Sequence, residues 1–346
     1  MKFHGFQPDI DSFLATLRRV PAHRIPVAEL GVHPTIKAAF LGHAVTTLED
    51  EVEFALRAGY DYVKVQPVVD FDPGRANSGA GVSYNPDGSV FRRWASEGTG
   101  VISTMGDLER FRFPRADEID YSRAERVRRL VPEGMGVVGQ YGDIFTMTWE
   151  MMGFEAFSVA VHEQPELVDA LNRRVGELVM GMFEAFAASD AVHALWYSDD
   201  IAYTEGLMVS PAILERYFFP WLGAIGALAR SSGKPLIYHS DGVLYRVMDR
   251  IAECGVDALH PIEPKAMDLA EVKARYGQTF CLIGGVDVDL LARGTPEAVR
   301  EVVRTNIEAA GAGGGYCVGS GNSIPEYVKM ENYIAMLSAA FEFGGR

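Results

Sequence analysis

The sequence predicts an α/β protein, a single (β/α)8 barrel that takes up residues 1–346. Eight short apolar runs have the character of strands, and longer segments between them have the spacing of helices. The length alone allows two domains at roughly 100–200 residues each, but one α/β barrel also fits it. A doubly wound open sheet is the alternative, because it uses the same alternation of strands and helices.

The eight predicted strands are nearly continuous apolar runs, as expected for parallel strands that are covered on both faces. In chain order they are residues 24–30, 61–66, 136–140, 194–198, 235–239, 257–260, 280–284 and 316–319.

Proline at the first helical position marks the start of two predicted helices. Ser210 and Pro211 precede one apolar stripe, and Thr295 and Pro296 precede another, which Gly311 is placed to end. Residues 70–100 break the alternation with a glycine-rich segment and a turn at 85–88. Residues 82–84 and 89–91 predict a hairpin there, inserted after the second strand. A variable loop and a lid over the pocket both fit this insertion.

The charge balance excludes some partners. Lysine and arginine total 32 and aspartate and glutamate total 47, which gives a net charge of −15. Such a chain should repel nucleic acid and anionic membranes. Three cysteines without C-x-x-C spacing favour a reducing compartment. With no signal peptide or long apolar run in the sequence, we expect a cytoplasmic protein.

Polar residues gather where the predicted strands end, and active sites of barrels form at the carboxyl ends of strands. We therefore expect carboxylates and imidazoles to converge on one mouth of the barrel. The residues concerned are Glu29, Tyr141, Asp199, Asp200, His239, Asp241, His260, Asn322 and Ser323.

His239 and Asp241 form an H-x-D pair at the end of the fifth predicted strand. With another carboxylate or His260 they could supply three N/O ligands and leave a position open, as in catalytic zinc sites. The same carboxylates could instead carry acid–base chemistry without a metal. Asp199 or Asp200 could also cap a following helix, and His260 could simply satisfy a backbone carbonyl.

Several segments resemble the uroporphyrinogen decarboxylase superfamily, across nearly the whole chain and most strongly from about residue 195. The resemblance implies a (β/α)8 fold. The segments are YHSDG at 238–242, GVD at 255–257, PKAMD at 264–268, GGVD at 284–287, GTPE at 294–297, GGGY at 313–316, SDD at 198–200 and GNSIP at 321–325.

Decarboxylases of this superfamily carry an N-terminal pattern resembling PVWxMRQAGR, whose arginines bind the acid groups of the porphyrinogen. Pro26 and Val27 fit its opening, but Gly31 and Thr35 occupy the arginine positions. A substrate with eight carboxylates would be repelled by the strand-end carboxylates without an arginine clamp. Uroporphyrinogen decarboxylation is therefore disfavoured.

Another branch of the superfamily contains corrinoid-dependent methyltransferases, in which a barrel protein exchanges a methyl group with the cobalt of a partner corrinoid protein. Thiol-methylating members hold zinc with an H-x-C pattern and a late cysteine. His239 matches the histidine, whereas Asp241 replaces the first cysteine and Asn322 falls near the second. Without the soft thiolates, the site suits an ether, amine or hydroxyl leaving group.

The leading hypothesis is a methyltransferase that moves a methyl group from a small O- or N-methylated compound to a corrinoid (cobalamin) protein. His239 and Asp241 would bind zinc and, with Asp200 and Glu29, form the catalytic set. Substrate binding would fall to Tyr141, Asp199, His260, Asn322 and Ser323. The alternatives are a decarboxylase or lyase acting on a smaller acid, and a non-catalytic tetrapyrrole-binding protein. No pattern decides the oligomeric state, and a homodimer is left open.

Overall fold

Seven parallel strands form one curled sheet in the computed structural model, which describes residues 6–69, 71, 82–84, 90–93 and 100–345. Neighbours in the sheet are consecutive parallel strands of the chain, so sheet order is chain order. This topology confirms a TIM-barrel-like α/β fold. The strands are Tyr62–Val65, Gly136–Gly142, Ala194–Ser198, Leu236–His239, Ala258–Ile262, Cys281–Val286 and Tyr316–Ser320.

The predicted first strand, 24–30, takes the eighth position without forming a regular strand, which corrects that prediction. Val27 bridges Val318 of the last strand, with Val318 donating its N–H to Pro26 and Ala28 donating to Val318, both at 2.9 Å. Because Pro26 has no N–H, it cannot donate to the last strand, and the ladder cannot extend further upstream.

Side chains join this segment to the first strand of the sheet. The Tyr62 hydroxyl accepts from the Glu29 N–H and donates to the Glu29 carbonyl, both at 3.1 Å. Lys64 Nζ donates to the carbonyl of Leu30. We call this the Tyr62–Lys64 seam. In the described residues, these contacts stand where a fully closed barrel would carry backbone pairs.

Helices flank the sheet, and a large apolar core lies between the two layers. Pro211 and Pro296 do begin helices, but the stripe after Pro211 is divided at Phe218, since Pro220 lies at the start of a new helix. The described helices are Ile10–Leu17, Pro34–Leu41, Leu48–Ala58, Met105–Arg110, Ser122–Leu130, Ile144–Met152, Phe154–Glu163, Pro165–Ala188, Pro211–Tyr217, Phe219–Ser231, Met248–Glu253, Leu269–Tyr276, Val288–Arg293, Pro296–Ala310 and Met330–Gly344, with a 3-10 turn at Ala116–Glu118.

The predicted insertion contains the expected pair of short strands. Val82–Tyr84 pairs in antiparallel fashion with Val90–Arg93. The predicted turn at 85–88 and most of the 70–100 segment lie outside the described residues. Within the part of the chain that the structure describes, no helix combines the length and apolar character needed to cross a bilayer.

Candidate active site

A cleft of about 690 Å³ opens at the carboxyl ends of the strands. The loops after the third, fourth and last strands of the sheet meet there, because parallel strands bring their carboxyl ends to one edge. Its walls carry five of the site residues predicted from the sequence, namely Asp200, His239, Asp241, Asn322 and Ser323. The other lining residues are Gly31, Val32, His33, Pro34, Glu263, Pro264, Lys265, Asp287, Val288, Asp289, Gly321, Ile324, Pro325, Glu326 and Tyr327.

Asp200, His239 and Asp241 form a compact cluster, which we call the His–Asp triad. His239 Nε2 lies 3.6 Å from Asp200 Oδ1 and 3.8 Å from Asp241 Oδ1. The Asp241 N–H donates to Asp200 Oδ1 at 2.9 Å, and Asn322 Nδ2 donates to Asp241 Oδ2. One potential ligand atom from each triad residue lies within 4.8 Å of the others.

A second histidine lies behind the triad. His239 and His260 are partners in adjacent parallel strands, and their Nδ1 atoms are 2.8 Å apart. His260 is almost fully buried, and its ring meets Trp196 edge-on with centroids 5.0 Å apart. Burial lowers the pKa of both imidazoles, although Asp200 opposes this for His239. Both rings are therefore neutral at pH 7.

The donor set of the triad fits a divalent cation such as zinc. Imidazole nitrogen and carboxylate oxygen are both ligand types that zinc accepts, and three protein ligands leave a fourth position open. His239 is also held through its other ring nitrogen, as metal-binding histidines usually are. The predicted pair of His239 and Asp241 thus acquires Asp200 as its third member.

Asp199 lies apart from the triad despite being next to Asp200. It is fully buried and accepts from the N–H groups of Phe145 and Thr146 and from the Tyr197 hydroxyl, at 2.7, 2.9 and 2.6 Å. Burial raises its pKa to about 6, although these bonds oppose the shift. It caps the helix Ile144–Met152 across the fold, a geometry that does not favour the predicted substrate contact.

Glu29 also lies away from the triad, at the Tyr62–Lys64 seam. Its carboxyl accepts from the Ser320 N–H and the Ser320 hydroxyl, both at 2.7 Å. Burial raises the pKa of Glu29 to about 8, so the group is protonated at neutral pH. It lines a small cavity of about 90 Å³ with Lys64, and its predicted catalytic role stays a prediction.

The two remaining predicted substrate-binding residues lie in different places. Ser323 is in the cleft, where its N–H donates to Asn322 Oδ1 at 2.7 Å. Tyr141 lies near the end of the strand Gly136–Gly142, is half-buried, and is not among the described residues that line the cleft. Its role is likewise still a prediction.

Two residues that the sequence did not predict also bear on the site. Lys64 is largely buried, which lowers its pKa to about 7, and its charge lowers the pKa of His239 and His260. A lysine inside the apolar run 61–66 was the available signal. His33 also lines the cleft, with its Nε2 3.6 Å from Glu326. No spacing pattern links it to the other site residues.

Arginine is absent from the described lining of the cleft, where Gly31 occupies one of the expected arginine positions. Two arginines upstream of these positions lie at the opposite end of the sheet. Arg24 pairs with buried Asp61, and Arg19 donates to the carbonyl of Asp257 at 2.8 Å. Asp61 and Asp257 directly precede strands, so these cations lie at the amino ends.

Fold and site together define a TIM-barrel-like enzyme with a His/Asp cluster at the carboxyl ends of its strands. Residues 98–343 match the family model described as Uroporphyrinogen decarboxylase (URO-D). The chain therefore belongs to the uroporphyrinogen decarboxylase family.

Curated relatives agree with this placement, and a solved structure shares the fold. A protein named uroporphyrinogen decarboxylase from Psychromonas ingrahamii is 24% identical over 81% of this chain and 82% of its own length. Another of that name from Pseudoalteromonas translucida is 23% identical over 71% and 70%. A structure titled methyltransferase from Methanosarcina mazei is 18% identical, with a TM-score of 0.70 over 97% of this chain and 99% of that chain. At this identity the structural likeness establishes the fold.

Proposed function

We propose that this protein transfers a methyl group from a small O- or N-methylated compound to a corrinoid protein, assisted by a metal ion at the His–Asp triad. The triad is the observation that carries the proposal, because it gathers three N/O ligands at the wall of a cleft of substrate size. The Methanosarcina methyltransferase, which shares the fold, supports the general kind of activity. A cytoplasmic location and a separate corrinoid-carrying partner are parts of the same proposal.

The cleft is poorly suited to a porphyrinogen, although the curated relatives are named decarboxylases. Six carboxylates line it and Lys265 is the single lysine among the described lining residues. Lys265 is itself paired with Asp287 and Asp289. A substrate bearing many carboxylates would meet net repulsion there, since arginine clamps are the usual partners of such groups.

A divalent metal held by Asp200, His239 and Asp241 would supply Lewis acidity that stabilises the departing heteroatom. Neighbouring groups of the chain hold the two carboxylates in place. Asn322 holds one oxygen of Asp241 and the Asp241 N–H holds one oxygen of Asp200, which restricts both carboxylates. The Asp200 side chain is 46% exposed, so it faces a substrate that enters the cleft.

Methyl transfer is tested by mixing the zinc-loaded protein with a Co(I) corrinoid protein and a panel of methyl ethers and methylamines. We expect methyl-cobalt absorbance with at least one donor, and its loss in Asp241→Asn. Asp289→Asn is the matched control, since Asp289 lines the same cleft outside the triad. A folded, zinc-loaded protein that methylates no corrinoid with any donor would count against the proposal.

A decarboxylase or lyase that acts on a smaller acid is the second candidate, favoured by the names of the curated relatives. It needs no metal, so elemental analysis separates the two: about one zinc per chain supports methyl transfer. A non-catalytic tetrapyrrole-binding protein would instead keep its ligand affinity in His239→Ala and show no turnover.

A further inference from the structure

We infer that His260 is a positioning residue that sets the tautomer of His239, and that the two rings change tautomer together when a divalent cation enters the triad. This inference rests on the proposed metal site, but its first half concerns the metal-free protein and stands or falls separately.

Only one proton can lie between the two Nδ1 atoms where the rings meet. Their Nδ1 atoms are 2.8 Å apart, so one must donate and the other accept. Strand pairing fixes this geometry, because His239 and His260 are register partners in neighbouring parallel strands. Trp196 holds His260 from the side, and both imidazoles are buried. The tautomer of one ring therefore determines that of the other.

Without a cation, the carboxylates of Asp200 and Asp241 favour one arrangement of the ring protons. His239 Nε2 faces Asp200 and Asp241, so a proton on Nε2 is attracted to both, whereas a lone pair there would be repelled. His239 Nδ1 is then an acceptor, and His260 donates to it from Nδ1. His260 Nε2, which has no hydrogen-bond partner among the described residues, carries the lone pair.

If the triad held a cation, the lone pair of His239 Nε2 would be needed as its ligand, and the opposite arrangement of the ring protons would be favoured. The proton on that atom leaves to water in the cleft, and His239 accepts the Nδ1 proton of His260. His260 would regain a proton at Nε2, and because that atom is buried, the proton can arrive only when the surrounding core opens locally to water. Each ring carries one proton before and after, so the pair neither gains nor loses a proton overall. A histidine that merely fills the core would have no part in this exchange.

The test uses the full chain labelled with 15N-histidine, observed in two-bond 1H–15N spectra with and without Zn(II). Variants at the two positions assign the signals. We expect His239 protonated at Nε2 in the metal-free protein and at Nδ1 in the zinc-loaded protein. An unchanged Nε2–H form in the zinc-loaded protein overturns the switch. Two rings both protonated at Nε2 without metal overturn the pairing itself.

Substitutions supply a second readout. His260→Phe keeps the ring but removes Nδ1, and we expect zinc affinity to fall about 10- to 100-fold. His260→Asn places a polar group near His239 Nδ1 again and should recover much of the lost zinc affinity. His33→Asn is the control, because His33 lines the same cleft outside the pair and asparagine can keep its helix cap. Wild-type zinc affinity in His260→Phe overturns the positioning role, whereas a wild type that binds no zinc overturns the proposed metal site and leaves the metal-free spectrum to decide on the pair.

Discussion

The Asn322 side-chain amide donates a hydrogen bond to Asp241, a residue 81 positions earlier in the chain. This bond ties the loop after the last strand to the loop after Leu236–His239. Asn322 is therefore a support for the carboxylate as well as part of the cleft wall.

We predict that Asn322→Ala lowers zinc affinity about tenfold, because Asp241 then loses the group that restricts it. Competition with a chromogenic chelator measures the change. Ser323→Ala serves as the control in the same loop. Unchanged affinity in Asn322→Ala would show that Asp241 needs no such support.

Glu29→Gln should change how stability depends on pH. The folded-state pKa of Glu29 is raised from 4.5 to about 8, so below 4.5 the group is protonated in both the folded and the unfolded chain. Between those values the unfolded chain ionises while the folded chain stays protonated, so the contribution of Glu29 to stability is lost as pH rises.

The free energy of unfolding of the wild type should accordingly fall relative to Glu29→Gln as pH rises from 4.5 to about 8, by on the order of a few kcal/mol. Urea unfolding of both proteins across this pH range measures the difference. Glu308→Gln, a substitution of an exposed residue, is the control. Parallel curves for the wild type and Glu29→Gln would mean that Glu29 is ionised in the folded protein.

For the histidine pair we predict the opposite pH dependence, in which the free energy of unfolding falls as the pH is lowered. The folded-state pKa of His239 and of His260 lies below the ordinary 6.5, so their contribution is present above that pH. It is lost as pH falls, since the unfolded chain takes up protons first. We expect the wild type to lose more stability than His260→Phe when pH drops from about 7 to about 5.5. Equal losses in urea unfolding would contradict this.

The charge of the cleft predicts its choice of substrate. Six carboxylates and one lysine line it among the described residues, so a cationic N-methylated donor should be favoured over a neutral methyl ether of similar size. Replacing both Glu263 and Glu326 with glutamine should lower kcat/KM for the cation about tenfold and leave the ether nearly unchanged. An equal effect on both donors would point to damage of the cleft rather than to lost attraction.

Strand positions were largely predictable from the sequence, because buried parallel strands are short runs of apolar residues. Ala194–Ser198 has the predicted bounds, and the other sheet strands differ by a few residues. Segment 24–30 was the exception, since an apolar run does not reveal that Pro26 limits pairing with the last strand.

The site was predictable only in part. Strand ends located Asp200, His239 and Asp241 correctly at one mouth, because the fold brings those ends together. The separate position of Asp199 depends on Phe145 and Thr146, more than 50 positions away, and no local pattern encodes that contact. The register of the strands places His260 beside His239, and its predicted contact with substrate stays a prediction.

The Tyr62–Lys64 seam has a mechanical consequence. Three hydrogen bonds that involve the Tyr62 and Lys64 side chains join segment 24–30 to the first strand. Backbone pairs join the neighbouring strands of the sheet instead. Under a stretching load, we expect the wall of the barrel to part beside segment 24–30, which is held by these three bonds on one side and by two backbone bonds to Val318 on the other. Tyr62→Phe and Lys64→Met would weaken that line without altering any backbone pair, so the resistance of the fold to force can be tuned by point substitution.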